Sequence, residues 1–342
     1  MSVSDPAPQV PGEARGRTAA APVLALAPEG VGEVAAGTDL ADLLLAALAG
    51  LGEPGRLREG DVVVVTSKVV SKAEGRVVPG TREEHLATES RRLVARRGPT
   101  SIVRTRHGLT MAAAGIDASN VALGSCVLLP LDPDASARAL RGALRTRTGL
   151  RRLGVVVTDT AGRAWREGQT DIAIGAAGLR VLEDFAGRVD AHGNELAVTA
   201  PAVADEIAGL AELASGKLGG RPFVLVRGRA DLLTDDDGPG ATALVRAEGG
   251  DLFGYGARQA VIAAVARRPE DRTPFGAPVP AEELVAALDL ALGAGTARTR
   301  EGAVLCRPGR PDAVAAVAFA HGWELQVPGG APGDLRLHPL GP

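Results

Sequence analysis

The spacing of apolar and polar positions divides the chain into short segments. VLALA, residues 23–27, predicts a first strand. In GTDLADLLLAALAG, Thr38 or Asp39 caps a helix that runs to Gly50. GDVVVVTSK and LGVVVTDT carry valine runs without polar alternation, the pattern of strands buried on both faces. RPFVLVRG predicts another such strand. EEHLATESRRLVARRG reads as one helix ending at Gly98, SIVRT as a short strand, and HGLTMAAAGIDASN as a strand running into a loop. DPDASARALRGALRTRTG predicts a helix with proline in its first turn. TDIAIGAAGL reads as a small-residue turn, and TAPAVADEIAGLAELASG as a helix starting at Thr199 or Ala200. After the turn-rich TDDDGPGAT, a helix lies in DLFGYGARQAVIAAVARR.

This pattern predicts an α+β protein with mixed sheets and flanking helices. Residues 1–21, rich in Pro, Ala and Gly, read as a disordered tail. AAAPVLALA also resembles a signal-peptide core, but acidic Asp5 and Glu13 precede it rather than a compact basic head. The main domain is expected over 22–255, and a helix end and linker, RRPEDRTPFGAPVP, over 256–280. A small C-terminal α/β module with the helix AEELVAALDLALG, the strand GAVLCRP and a second helix near 312–321 follows over 281–342.

Composition narrows the function. The net charge of −3 and the absence of basic runs interleaved with aromatics argue against nucleic acid as a partner. No apolar run approaches the ~18 residues of a membrane span. Cys126 and Cys306 form neither a metal-spacing motif nor a disulfide framework, which points to a reducing, cytoplasmic setting. Arginine outnumbers lysine by 35 to 3, and two of the three lysines, Lys68 and Lys72, fall within TSKVVSKAEGR. Arginine replaces lysine wherever a surface charge suffices, but less readily where a compact ammonium must meet a phosphate. Chance retention is the alternative reading for any one lysine.

Two valine strands end in polar residues, at Ser67-Lys68 and at Asp159-Thr160. Ligands gather where strands give way to loops in layered α/β proteins. Ser and Lys suit phosphate, and Asp with Thr suits a hard cation. GIDASN adds Asp117 and Asn120. Asp159 could instead cap a helix, and Asp117 could serve an Asx-turn. Together these groups describe a site for a nucleotide polyphosphate with a divalent metal. There is no GxxxxGK[ST], GVGEVAAG lacks the dinucleotide glycine spacing, and the five histidines are dispersed. His107 is the only one near these motifs, where a structural hydrogen bond is the simpler role.

TSKVVSKAEGR, GIDASN, TDTAGRAWREGQTDIAIGAAG, VDAHGNELAVTAPAVADEIA and GKLGGRPFVLVRG follow one another in order. Over about residues 22–255 the chain resembles the coenzyme F-420-0:L-glutamate ligase family, CofE in archaea and the N-terminal part of FbiB in actinobacteria. The resemblance implies a GTP-dependent carbon–nitrogen ligase of coenzyme F-420 biosynthesis. GTP would activate the phospholactate carboxylate of the deazaflavin as an acyl phosphate, L-glutamate would displace phosphate, and γ-linked glutamates would follow. It implies Asp117, Asp159 and Thr160 as ligands of Mg2+ or Mn2+, with K+ as a further cation. It assigns GTP contacts to Val31, Gly32, Glu33, Val34, Ser67, Lys72, Asn120, Gly216 and Lys217. VGEV lacks the proline of the family's LPEF-like segment, and Lys217 stands where archaeal relatives can hold an oxygen ligand. Lys68 takes no specific role from the resemblance. A homodimer is implied. The residues after the ligase core are too few for the flavin-binding domain of full-length FbiB, so no FMN is expected. A binding module without ligase chemistry, a ligase for another acid or amine, and a metal-dependent phosphohydrolase are the rival readings.

Overall fold

The computed structural model describes residues 22–326 and 334–340; the expected tail, 1–21, lies outside them. In chain order the elements are β1 Leu24–Leu26, α1 Leu40–Ala49, β2 Val62–Thr66, α2 Ser67–Ala73, β3 Val77–Pro79, α3 Arg82–Glu89, β4 Ser90–Arg97, β5 Thr100–Thr105, β6 Thr110–Ala112 and β7 Ser125–Val127. They continue with α4 Pro133–Thr148, β8 Gly154–Gly162, β9 Gln169–Ala177, α5 Val203–Ser215, β10 Phe223–Arg227 and α6 Ala257–Ala266. The C-terminal module holds α7 Ala281–Leu292, β11 Ala297–Arg300, β12 Ala303–Cys306, α8 Pro311–Ala320, β13 Trp323–Gln326 and β14 Leu335–Pro339. The α+β class is as the sequence predicts.

The central sheet has the order β1-β10-β2-β8-β9, and its one parallel pair is β2 with β8. The valine runs make sense in this position. Val63, Val65, Val155 and Val157 face a core shared with α1 and α4, while Val62, Val64 and Val156 face a second core under α5. Covered on both faces, these strands need no polar alternation. The parallel register places Thr66 beside Thr158, so both strands deliver their polar C-terminal ends to one edge.

Three stretches differ from expectation. The EEHLATESRRLVARRG helix stops at Glu89, and Ser90–Arg97 is a strand paired antiparallel with β5. Arginine favours helix locally, but strand pairing overrides that weak preference. Here the arginines find acceptors: Arg92 donates to the Gly254 carbonyl in the loop before α6, and Arg96 to Ser101 on β5. TDIAIGAAGL is no turn, because Gln169–Ala177 forms the edge strand β9. Its small residues serve close packing, and a Cβ on Gly175 would lie 2.2 Å from the Pro133 carbonyl oxygen at the start of α4. The expected Ser-Lys loop is helical from its first residue, with Ser67 opening α2 and Lys72 in its last turn. In addition, α5 begins at Val203 rather than at Thr199 or Ala200, and α6 takes only the second half of its segment.

Asp39 caps α1 through its side chain, and Asp132 caps α4. Asp134 in the first turn of α4 accepts from the amides of Ala176 and Ala241, tying the helix to β9 and to the turn-rich segment after it. The C-terminal module is a four-stranded antiparallel sheet, β11-β12-β14-β13, whose core is filled by Leu284, Leu288, Val314, Ala318 and Trp323. The segment read as a linker packs onto it, with Phe275 edge-on to Phe319 and the Val279 carbonyl accepting from the Trp323 indole. Cys126 and Cys306 are free and buried. Among the described residues, no helix is long and apolar enough to cross a membrane.

Candidate active site

The C-terminal ends of β2 and β8 open into a cleft of about 860 Å³. That volume suits a nucleotide-sized ligand. Val31, Gly32, Glu33, Val34, Ser67, Lys72, Asp117, Asn120, Asp159, Thr160, Gly216 and Lys217 all line it. Residues from five separate stretches of the chain therefore meet in one place.

Asp159 lies on the cleft floor. Ser67, one residue past the parallel β2 strand, donates from Oγ to Asp159 Oδ1 at 2.8 Å. Enclosure by protein pushes the Asp159 carboxyl up to about 7; the Ser67 bond opposes this, and the negative charges of Asp171 and Asp117 add to it. Asp117 follows a backbone with Ala113, Ala114 and Gly115 at positive φ, and it bridges β7 through paired backbone bonds with Val127. Its Oδ2 is 2.6 Å from the Lys68 ammonium. Burial opposes ionisation of Asp117, but hydrogen bonds from Lys68 and Ser119 prevail and hold it below the usual carboxylate range.

The lysines answer the composition. All three line the cleft. Lys72 is buried and reaches Glu33 Oε1 at 2.6 Å, which joins α2 to the VGEV segment. Lys217 follows Gly216, the positive-φ residue that ends α5, and donates to Thr160 Oγ1 at 2.9 Å. Partial burial would lower its pKa, but Glu212 and then Asp171 and Asp159 raise it, so the ammonium is firmly charged. Asn120 is exposed on the rim with φ of 57°.

Asp171 completes the floor and is absent from the residues that the sequence singles out. It sits on β9 directly opposite Thr160. Its carboxylate accepts from Thr160 at 2.8 Å and from Thr158 at 3.0 Å, and it is buried. Ser71 also lines the cleft, with a buried hydroxyl that has no hydrogen-bond partner among the described residues. A buried orphan hydroxyl is costly unless a ligand satisfies it. His107 lies outside the cleft lining, and its Nε2 is 3.2 Å from the Leu131 carbonyl oxygen, in line with a structural role.

The chain matches the F420-0:Gamma-glutamyl ligase family over residues 30–83 and 81–228. It belongs to that family. A coenzyme F420:L-glutamate ligase of Archaeoglobus fulgidus is 41% identical over 220 residues, 58% of this chain and 85% of its own. One from Methanopyrus kandleri is 38% identical over 243 residues, 65% of this chain and 93% of its own. The family match ends at residue 228, so the C-terminal module lies outside it.

The donor set of this family member fits a hard divalent cation. Asp117, Asp159, Thr160 and Asp171 offer oxygen only, and the mutual repulsion of the carboxylates is a cost that a cation would relieve. Among the described residues, no three His, Cys, Asp or Glu side chains form a ready-made cage. The arrangement is the kind in which one or two carboxylates hold a metal together with substrate phosphate.

Proposed function

We propose that the chain is a GTP-dependent ligase. It joins L-glutamate to the phospholactate carboxylate of the deazaflavin coenzyme F-420-0, then extends the product through γ-linkages. The observation that carries this reading is the convergence of every residue the resemblance assigns to GTP and metal in a single cleft with the chain's three lysines. The relatives' shared name, coenzyme F420:L-glutamate ligase, supports the choice of acceptor and amine.

In this mechanism the substrate carboxylate attacks the γ-phosphorus of GTP and GDP departs. The glutamate amine then attacks the acyl carbon and phosphate leaves, so a poor electrophile is replaced by one with a good leaving group. Asp117, Asp159 and Thr160 would hold Mg2+ or Mn2+, which supplies charge neutralisation on the transferring phosphoryl group. Ser67 orients Asp159 by its hydrogen bond, and Asp171 orients Thr160. Lys72, Lys217 and the unpartnered Ser71 hydroxyl supply donors for the nucleotide. The same proposal includes a homodimer, which light scattering after gel filtration tests.

The test is phosphate release by purified protein with Mn2+. Release that requires GTP, L-glutamate and the glutamate-free deazaflavin together supports the ligase. GTP cleavage indifferent to both other substrates favours a phosphohydrolase.

A further inference from the structure

Lys68 carries no role in the mechanism above, yet it makes the tightest cationic contact with Asp117. Its ammonium is 2.6 Å from Asp117 Oδ2 and 2.7 Å from Ser119 Oγ. Ser119 in turn donates its hydroxyl to Asp117 Oδ2 at 2.8 Å and its amide to Oδ1 at 2.8 Å. Arg82 stands farther off, 3.6 Å from Oδ1. Lys68 therefore occupies two oxygen donors of the loop as a compact cation would. The Lys68 and Asp117 side chains are 24% and 34% exposed, so solvent screens the pair only in part. The chain uses arginine almost everywhere that a positive charge is wanted, and an arginine is already beside this carboxylate. A lysine here has the property arginine lacks, a point charge that one carboxylate oxygen and one hydroxyl can hold.

We propose that Lys68 is the displaceable counter-ion of Asp117. It neutralises the carboxylate while the cleft is free of ligand, and it must give that carboxylate up when a divalent cation binds. The inference rests on the reading of Asp117 as a metal ligand. Cation binding is then an exchange: the Lys68–Asp117 contact breaks, the carboxylate turns to the metal, and the freed ammonium adds to the positive charge available to a nucleotide phosphate. Lys68 thus weakens metal binding to the empty protein and keeps Asp117 ordered meanwhile.

The experiment measures Mn2+ binding to the full chain without nucleotide, by the electron paramagnetic resonance of free Mn2+. Lys68→Met should bind Mn2+ roughly tenfold more tightly than wild type, the scale of one lost charge-assisted contact. Lys68→Arg keeps the charge but not the compact head that one carboxylate oxygen and one hydroxyl hold, so its Mn2+ affinity should fall between those of wild type and Lys68→Met. In an Asp117→Asn background, Lys68→Met should change nothing. Circular dichroism checks that each variant is folded. Wild-type binding that Lys68→Met leaves unchanged or weakens would overturn the exchange while leaving the metal reading intact. An equal gain without Asp117 would overturn it as well. No Mn2+ binding by either wild type or Lys68→Met without nucleotide would overturn the exchange, and none with a non-hydrolysable GTP analogue present would overturn the metal reading as well.

Discussion

Ser67 and Asp159 meet across the only parallel strand pair of the central sheet, with Oγ 2.8 Å from Oδ1. They lie 92 positions apart in the chain, each one residue beyond the paired Thr66 and Thr158. The contact follows from register: two valine strands run side by side, and just past their last pair Ser67 opens α2 while Asp159 continues β8, both facing the same cleft. Ser67→Ala removes a donor that favours the ionised Asp159. Activity at neutral pH should fall about tenfold or more, with partial recovery as pH rises. A pH–rate profile that keeps its wild-type shape contradicts this.

Asp159 also sets a pH dependence of stability. Its pKa in the fold is about 7, above that of an unfolded aspartate. A group raised in this way contributes stability that is fully present below the unfolded pKa and is lost as pH rises through the folded pKa. The ligand-free wild type should therefore lose melting temperature relative to Asp159→Asn as pH rises from about 4 to about 7. Parallel melting curves for the two proteins across that window would contradict the assignment. Asp159→Asn should also nearly abolish turnover while remaining folded.

Asp171→Asn tests the residue that the sequence alone left unmarked. It keeps the shape of the side chain but weakens the anchor for Thr158, Thr160 and Lys217. The expected result is a kcat loss of about tenfold to a hundredfold with circular dichroism unchanged. Wild-type kcat and KM would show that the Thr160 side chain needs no such support.

Lys72→Arg is ordinarily a mild change. Here the side chain is buried and meets Glu33 at 2.6 Å, so the larger planar guanidinium does not fit without displacing α2 or the VGEV segment. KM for GTP should rise by about tenfold or more. Unchanged GTP affinity and turnover would remove the physical meaning of lysine scarcity in this chain.

Gly175→Val probes the fold. The new Cβ would lie 2.2 Å from the Pro133 carbonyl oxygen, a backbone atom that cannot swing aside. Denaturant unfolding should show a loss of more than about 2 kcal/mol.

How far the sequence carries can be judged from these same residues. Val62–Thr66 and Gly154–Gly162 were legible because burial on both faces leaves uniform valine. Asp117, Asp159 and the lysines were legible because their residue types suit phosphate and metal, and the resemblance then assigned roles to most of them; the strand end expected at Asp159-Thr160 is instead strand interior, because β8 pairs with β9 as far as Gly162. Asp171 was not, because its meaning depends on the antiparallel register that sets it opposite Thr160. Its segment of Ala, Ile and Gly also looks like a turn until α4 is packed against it. Ser90–Arg97 was hidden for the opposite reason, as a strand built from residues that favour helix until β5 pairs with them.

The most direct measurement is mass spectrometry of the products formed by purified protein from GTP, Mn2+, L-glutamate and the glutamate-free deazaflavin coenzyme. The expected result is a ladder of glutamate-sized additions that vanishes without GTP and in Asp159→Asn. A folded, nucleotide-binding protein that yields no addition would contradict it.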